Sequence, residues 1–543
     1  MKKIIFFLFL FATNMIFAQS KVIENISGYE LLNSGSLSDN NNEVDGYYFF
    51  YKVDDLEDRK SEYAIVILDK NLNETARKSY VGNKYSRLIQ GVFDGNQITF
   101  LFFNEQRKFI KLIGYDRKGQ EVEPLEYKLT RQDVIYTKNQ YDRNNEIRLI
   151  PIDKKGILLK FFKNQGEQVQ YIPTGNGEVW GMKNEKDTIE YVRNKVVDIK
   201  FGFFGIGNTK VGSRELKEYK ILGIGKSFAA ITEFNIDASI HIDAYNHNTN
   251  YRKQTKSSFF KIIKVDTGEL IYSEEIPYKI KKKEQFKSYL NVIFTDEEIV
   301  ALGEYYVGPK NLRKGISSGL FIEKFSYDGK KLSGKQISWE NQLFQKFQQE
   351  NKEKGKNYVF FHNVVKTDDG FVAIGEQYKK AVSAGGVTAK IITLGLAQAS
   401  KIMIKDAYFF QFDNDFNLVD LTKIEKAKSL YGGLSDFSTP QESAHYLNTF
   451  GYFDYLQTQV DKKHNKFYTT FLDYDNSDKK DPKLTYKTVV FQDSKFKETS
   501  FSIPKNEKVK YTALPAKLGY VLIYEYDEEK EKSSLRLEKI DVE

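Results

Sequence analysis

An all-β fold, a β-propeller of four-stranded blades, is predicted by three features of the 543-residue chain. The first is a repeated unit of four short strand-like runs, clearest from Tyr289 to Trp339, where YLNVIF, IVALGEYY, GLFIEKF and KLSGKQISW are separated by turn signals. The second is the character of the inner runs. IVAL (299–302), FVAI (371–374), AAI (229–231) and YVLI (520–523) are apolar at consecutive positions. A strand sandwiched between two neighbouring sheets buries both faces and has no reason to alternate. The third is composition: 36 Tyr and 42 Phe against 9 Pro favour strands and argue against a linker-rich chain.

The chain opens with Met1-Lys2-Lys3, the apolar run Ile4–Ala12, and Met15-Ile16-Phe17-Ala18 before Gln19. A basic start, a short apolar segment and a small residue at the junction form a secretory signal peptide, residues 1–18. The apolar run is shorter than a membrane span, and no later segment is long enough either. The chain has no Cys. Disulfides, thiolate metal sites, Cys nucleophiles and a lipid anchor on Cys are thereby excluded. The formal charge of +8 is spread among interspersed acids and bases, which reads as a solvated surface and not a nucleic-acid footprint.

Residues 19–543 are expected to form a single propeller domain. VIENI (22–26) and YELLNSGSLS (29–38) come first, and the units follow in turn. There are eight units, or seven if the diffuse third or fourth is not a full blade. The eighth lacks a fourth strand after LRLEKIDVE, so VIENI or the run after Gly28 is expected to complete it and close the ring. Two insertions stand out. Glu340–Lys354 has one apolar stripe (Leu343, Phe344, Phe347) and is expected to be helical, and 383–404 is apolar, a candidate contact surface. Asp243–Lys256 reads as a polar loop.

Aligning the second strands places a glutamate at one position of four units: Glu233 in FAAITEF, Glu304 in IVALGEY, Glu376 in FVAIGEQ and Glu525 in YVLIYEY. Such a carboxylate either serves packing, by accepting hydrogen bonds from neighbouring backbone amides, or joins a ring at one mouth of the channel that binds a cation or cationic ligand. These four are the candidate ligand-binding residues; no catalytic residue, metal ligand or cofactor is assigned.

Other motifs fail for physical reasons. Gly315-Ile316-Ser317-Ser318-Gly319 matches G-x-S-x-G, but a basic loop precedes it and a strand follows, the reverse of a nucleophile elbow. The run at Gly223–Ser227 has Lys220 where a P-loop needs its first Gly. The Gly-rich 202–207 lacks a βαβ setting. His241, Asp243 and His247 have spacing alone. Asp413–Asn417 resembles the start of an EF-hand, but Leu418 and Ile424 replace the required Gly and Glu, so it reads as a hairpin turn. Lys279–Lys287 is the densest basic run and reads as a solvated loop.

The signal peptide ending in Ala18-Gln19, the Lys/Asn/Tyr/Phe-rich composition and the D-x-x-G strand units resemble exported bacterial proteins of unknown function. The Trp-Asp signature of WD repeats and the paired glycines of kelch repeats are not seen. The resemblance implies a propeller-like fold and an envelope location. The expected role is a non-enzymatic propeller, in the periplasm or outside a Gram-negative-type cell, that binds a protein or glycan partner and no nucleic acid. The alternative is an enzyme acting on an extracellular polysaccharide or other polymer, with channel-mouth carboxylates as acid and base.

Overall fold

Among the described residues, thirty-three strands fold into eight antiparallel sheets of four strands, the sixth carrying a short fifth. This is the eight-bladed β-propeller expected. The structure is a computed structural model and describes residues 20–23, 30–38, 43–144, 147–163, 166–174, 179–182, 208–225, 227–243, 249–277, 280–340, 358–382, 400–432, 439–449, 451–475, 483–504, 508–530 and 532–540. Residues 1–18, expected to be a signal peptide, the segments 341–357 and 383–399, the Gly-rich 202–207 and His247 lie outside the described residues. Two compact units make up the chain: Met1–Ser86, Tyr115–Glu121 and Leu456–Glu543 form one, Arg87–Gly114 and Val122–Tyr455 the other.

The first unit holds the first, seventh and eighth blades. The eighth is completed by β1 (Ser20–Ile23). The first blade comprises β2 (Glu30–Ser38), β3 (Val44–Leu56), β4 (Lys60–Asp69) and β5 (Glu74–Asn83).

The second unit carries the second to sixth blades, apart from the turn after the second blade's third strand. The second blade has β6 (Ser86–Phe93), β7 (Gln97–Asn104), β8 (Phe109–Asp116) and β9 (Glu121–Lys128). The third has β10 (Arg148–Ile152), β11 (Gly156–Lys163), β12 (Gly166–Pro173) and β13 (Trp180–Met182). The fourth has β14 (Asn208–Gly225), β15 (Phe228–Asp243), β16 (Thr249–Lys264) and β17 (Leu270–Ile276). The fifth has β18 (Gln285–Phe294), β19 (Ile299–Val307), β20 (Gly319–Phe325) and β21 (Lys331–Ser338). The sixth has β22 (Tyr358–Thr367), β23 (Gly370–Val382), β24 (Ser400–Asp413) and β25 (Leu418–Ile424), with β26 (Ser429–Gly432) pairing the far end of β24.

In the first unit the seventh blade follows with β27 (Tyr455–Asp461), β28 (Lys466–Asp475), β29 (Lys483–Gln492) and β30 (Lys495–Pro504), and the eighth with β31 (Val509–Pro515), β32 (Tyr520–Asp527) and β33 (Lys532–Lys539).

Burial follows the strand order within each blade. In the fifth, the first eight residues of β19 are buried on both faces, while five of the eight residues of β21 are exposed and only Ile337 is buried. Each Val or Leu so enclosed contributes about 1.5–3 kcal/mol, so the consecutive apolar run is the strongest local determinant of the blade. The third and fourth strands are joined by a recurring turn. Asp69 Oδ1 accepts from the Asn71 and Asn73 amides at 2.8 Å, Asp116 Oδ1 from Lys118 and Gln120 at 2.8 Å, and Asp413 Oδ1 from Asp415 and Asn417 at 3.0 and 2.7 Å. The residue three after the Asp takes a left-handed conformation: Gly119 at φ 74°, but also Leu72 at 66° and Phe416 at 60°. A non-glycine there costs about 1–2 kcal/mol. Both side chains recover that by burial, at 2% exposure each. The EF-hand-like stretch is therefore a hairpin turn, as its missing Gly and Glu imply.

β1 pairs antiparallel with β33, Ser20 opposite Arg536 and Ile23 opposite Ser533. The N-terminal strand thus supplies the missing outer strand of the eighth blade. Leu522, Tyr524, Leu535 and Leu537 of that blade pack on Tyr47, Phe49, Tyr51 and Val66 of the first. A chain beginning at Gly28 would leave the β33 edge unpaired. Such a chain should lose roughly 2–4 kcal/mol, four net hydrogen bonds' worth, and self-associate through the open edge. Thermal unfolding and size-exclusion chromatography check this; an unchanged midpoint with a single monomeric peak would refute it.

Three elements differ from expectation. The stretch 243–256 is not a loop throughout. β15 runs to Asp243 and β16 starts at Thr249, and with β14 they continue past the blade, since β17 pairs only with residues 258–263 of β16. The result is a three-stranded arm about 30 Å long at strand rise. The residues before Gly315 form a short helix, Pro309–Lys314, capped by Gly315 at φ 63°. Residues 400–404 of the apolar insertion belong to β24. Among the described residues, no helix is long and apolar enough to cross a membrane.

Candidate functional site

The four repeated glutamates all lie on second strands, but they do not face the same way. On β19, Val300 and Leu302 pack with Val359 and Phe371 of the sixth blade, whereas Ile299, Ala301 and Tyr305 pack with Leu222, Ala230 and Phe260 of the fourth. Alternation puts Glu304 on the face of Val300 and Leu302, toward the following blade. On β23, Phe371 and Ala373 face the preceding blade, so Glu376 also points forward. On β15, Ala229 and Ile231 pack with Ile152, Leu158 and Val169 of the third blade, and Glu233 shares that backward face. On β32, Val521 and Ile523 pack with Tyr468, Tyr486 and Val490 of the seventh, and Glu525 points backward too. Residues that align in sequence are thus split two and two.

Each has partners within the chain. Glu233 accepts from Lys261 at 2.7 Å, with Lys217 at 3.8 Å. Glu525 lies 3.0 Å from Arg536 Nε and accepts from the Ser534 hydroxyl at 3.1 Å.

Glu376 anchors a buried charge network. His362 Nε2 lies 2.9 Å from Oε2, Lys426 Nζ lies 2.8 Å from Oε1, and the Tyr455 amide donates to Oε2 at 2.9 Å. Lys426 also donates to Asp454, which accepts from the Ser429 hydroxyl at 3.2 Å. The side chains of His362, Glu376, Lys426 and Asp454 are at most 3% exposed. His362 stacks on Tyr455, centroids 4.6 Å apart and planes 2° from parallel, with Phe453 edge-on at 5.0 Å. Burial works against the Glu376 charge, but Lys426 and His362 outweigh it and hold the carboxyl low. Burial pushes the Asp454 carboxyl up, and the Glu376 charge adds to this against the pull of Lys426.

The backbone explains how a histidine arrives there. Phe361 pairs with Gly375 and Asn363 with Ile374, leaving His362 as the extra residue of a β-bulge. The first, fourth and fifth blades have the same bulge in their first strands, with Leu32, Leu222 and Leu290 as the extra residue. A histidine stands where three siblings keep leucine. Lys426 and Asp454 bracket the insertion carrying β26 and the helix Pro440–Thr449, whose Ala444 and Leu447 pack on Tyr378, Ile402 and Ile404. Sequence reasoning missed all three. Aligning LLN, YLN and FHN would have exposed the histidine.

Glu304 gathers a second cluster. The Tyr306 hydroxyl donates to Oε2 at 2.7 Å, and the Ser317 hydroxyl lies 3.4 Å from Oε1 in donating geometry. Trp339 Nε1 donates to the same Ser317 oxygen at 2.8 Å. Ser317 is the central serine of the G-x-S-x-G match, so two stretches singled out separately meet here. Burial pushes the Glu304 carboxyl up to about 6, against the Tyr306 and Ser317 hydrogen bonds and the charge of Lys220. Burial pulls the Lys220 ammonium down to about 8, with Glu304 opposing and Arg148 adding to the shift. Lys220 stands on β14, the first strand of its blade, and is half-buried. Among the described residues, no group of three or more metal-ligating side chains is assembled.

The chain belongs to a family of unknown function, DUF6770, matched over residues 1–193 and 222–541. None of the curated proteins matches it in sequence. Among solved structures it is similar to the WD40 domain of SCAP from fission yeast, with 9% identity, a TM-score of 0.33, and 96% of this chain and 98% of that one covered. It is also similar to prolyl oligopeptidase B from Galerina marginata, with 8% identity, a TM-score of 0.36 and 92% of this chain covered; the match spans 56% of that protein. The AfRom2 CNH domain matches at 10% identity with a TM-score of 0.32, covering 84% of this chain and 96% of that one.

Proposed function

We propose that this member of the DUF6770 family is an exported, non-enzymatic β-propeller that binds a protein or glycan partner in the cell envelope, in the periplasm or outside the cell. The observation that carries the binding role is the commitment of the repeated carboxylates to partners in their own chain. Glu376 is enclosed by Lys426, His362 and the Tyr455 amide, and Glu233 and Glu525 hold basic side chains. A glycosidase needs two carboxyl groups released toward substrate at matched separation. The arm formed by β14, β15 and β16 adds support, because strand edges that continue past a blade are surfaces on which a macromolecule can lie. Export rests on the basic, apolar and small-residue pattern of Met1 to Ala18.

One observation favours the enzymatic alternative: the Glu304 carboxyl, raised to about 6 and close to a serine hydroxyl, has the poise of a general acid. One experiment separates the two. The protein is recovered from the periplasm or medium of its cell, its N-terminus is sequenced, and it is incubated with a glycan panel. A mature chain beginning at Gln19 that binds without releasing new reducing ends is the expected result. Turnover that disappears in Glu304→Gln would overturn the binding role, and recovery only from the cytoplasm with Met1 intact would overturn export.

A further inference from the structure

We propose that β26 and the helix Pro440–Thr449 form a strap that is latched in acid and loosened at neutral pH, with the buried side chains of His362, Glu376, Lys426 and Asp454 as its catch. This regulatory device goes beyond the binding role and does not depend on which partner the propeller takes.

The strap reaches well beyond its own blade. β26 pairs with the far end of β24, Ile404 opposite Ser429 and Lys401 opposite Gly432. Ala444 and Leu447 of the helix pack on Tyr378, Ile402 and Ile404. Outside the sixth blade, the Gln441 side-chain amide donates to the Gly315 carbonyl, in the fifth-blade loop that carries Ser317. The same helix comes within 8 Å, Cα to Cα, of the helix Arg131–Asn144. That helix follows the second blade and the strap follows the sixth. The strap therefore ties together the two extremes of the five blades in this unit.

Its own elements are slight. A strand of four residues and a helix of ten are too short to persist without support. Both lie between Lys426 and Asp454 in the chain, and these two side chains bond to each other. The base of the strap is thus drawn closed at one point. That point is fixed to the blade by Glu376, 2.8 Å from Lys426 and accepting from the Tyr455 amide at 2.9 Å. What weakens the catch loosens the strap.

The catch is short of positive charge. Lys426 is one cation against two carboxylates, and His362, 2.9 Å from Glu376, adds a second only when protonated. Little water reaches the four to make up the difference. Glu376 has the better support, from Lys426, His362 and the Tyr455 amide. Asp454 has Lys426 and the Ser429 hydroxyl at 3.2 Å. On β24, Asp406 accepts from the Lys426 amide at 3.4 Å and has its own cation in Lys423, also at 3.4 Å. A proton entering the catch therefore settles on Asp454 and leaves the network neutral. Burial pushes that carboxyl above its ordinary 3.8, and the Glu376 charge adds to this against Lys426. An acid raised in the closed state binds its proton more tightly there. Its stabilisation is fully present below 3.8 and is lost as pH rises through the raised value. Glu376 is held low, so its opposite dependence falls below its ordinary 4.5 and leaves the range above to Asp454.

Hydrogen exchange read by mass spectrometry on the full chain tests this, at about pH 5 and about pH 8 with rates corrected for intrinsic amide chemistry. In the wild type, peptides from the helix Pro440–Thr449 should open about tenfold more at the higher pH, the worth of one unit of difference in proton affinity. Peptides from β19 should keep the same protection at both. Asp454→Asn is neutral at either pH and still offers Lys426 an acceptor, so it should keep the acid-level protection throughout. Three results would overturn the latch: equal protection of the wild-type helix at the two pH values, a change of the same size in β19, or a pH-dependent helix in Asp454→Asn. The first two need no variant, so the wild type alone can refute the latch if Asp454→Asn fails to fold.

Discussion

Lys426→Met should lower the stability of the unit that contains it by about 3–5 kcal/mol, the cost of leaving a buried carboxylate without its cation. The substitution preserves much of the side-chain volume, so the loss is electrostatic and not a cavity. It strands two acids together, since Lys426 lies 2.8 Å from Glu376 and also donates to Asp454. The chain's two tryptophans, Trp180 and Trp339, belong to the same unit as Lys426. Urea unfolding followed by tryptophan fluorescence therefore reads the right part of the molecule. His362→Leu supplies the contrast. It installs the residue that sibling blades use at the bulge and leaves Glu376 with Lys426 and the Tyr455 amide, so it should cost about 1 kcal/mol. Equal effects of the two substitutions, or a Lys426→Met protein as stable as wild type, would mean that the network is not what holds the base of the 427–453 insertion.

Glu304→Gln should behave in the opposite way. Burial pushes its carboxyl up to about 6 in the folded chain, from an ordinary 4.5. A raised acid binds its proton more tightly in the folded state. Stability from this group is therefore fully present below about 4.5, falls as pH rises toward 6, and is then flat. The difference amounts to about 2 kcal/mol at most. Gln is neutral and nearly the same shape. Its carbonyl can accept from Tyr306 and its amide can donate to Ser317. At pH 7 and above, Glu304→Gln should unfold at the wild-type urea concentration or higher, and the decline between pH 4.5 and 6 should be shallower. A large loss of stability at pH 8 would show that the ionised carboxylate is needed where it stands.

Most of the fold is legible in the sequence because propeller blades impose strong local rules. Enclosure on both faces forces consecutive apolar residues such as Ile299–Leu302. A tight turn needs an acceptor such as Asp116 and a left-handed residue such as Gly119. The missing outer strand of the eighth blade points to the N-terminus. The site is less legible, for reasons of parity and insertion. Glu233 and Glu304 align in sequence, yet their side chains enter opposite faces, because a one-residue difference in register reverses a strand. His362 is aimed by a bulge, which depends on pairing with β23 that no local composition reveals. The helix Arg131–Asn144 had a readable start, since Thr130 and Asp133 exchange hydrogen bonds as a capping pair. The same holds for Pro440 at the first position of its helix. Charged and polar residues at 243–256 hid strands because the arm extends beyond the apolar part of the blade.

The pairing of β1 with β33 also sets a clock. Ser20 meets Arg536 only after nearly the whole 543-residue chain has been made. Joining ends that far apart costs about 5 kcal/mol in chain entropy on a logarithmic length scale. Contacts of such long range form late and slowly. The last blade is therefore finished after every other sheet has its strands available, and a partly synthesised chain has no partner for its first strand. The step that locks the two ends together therefore waits until synthesis is complete.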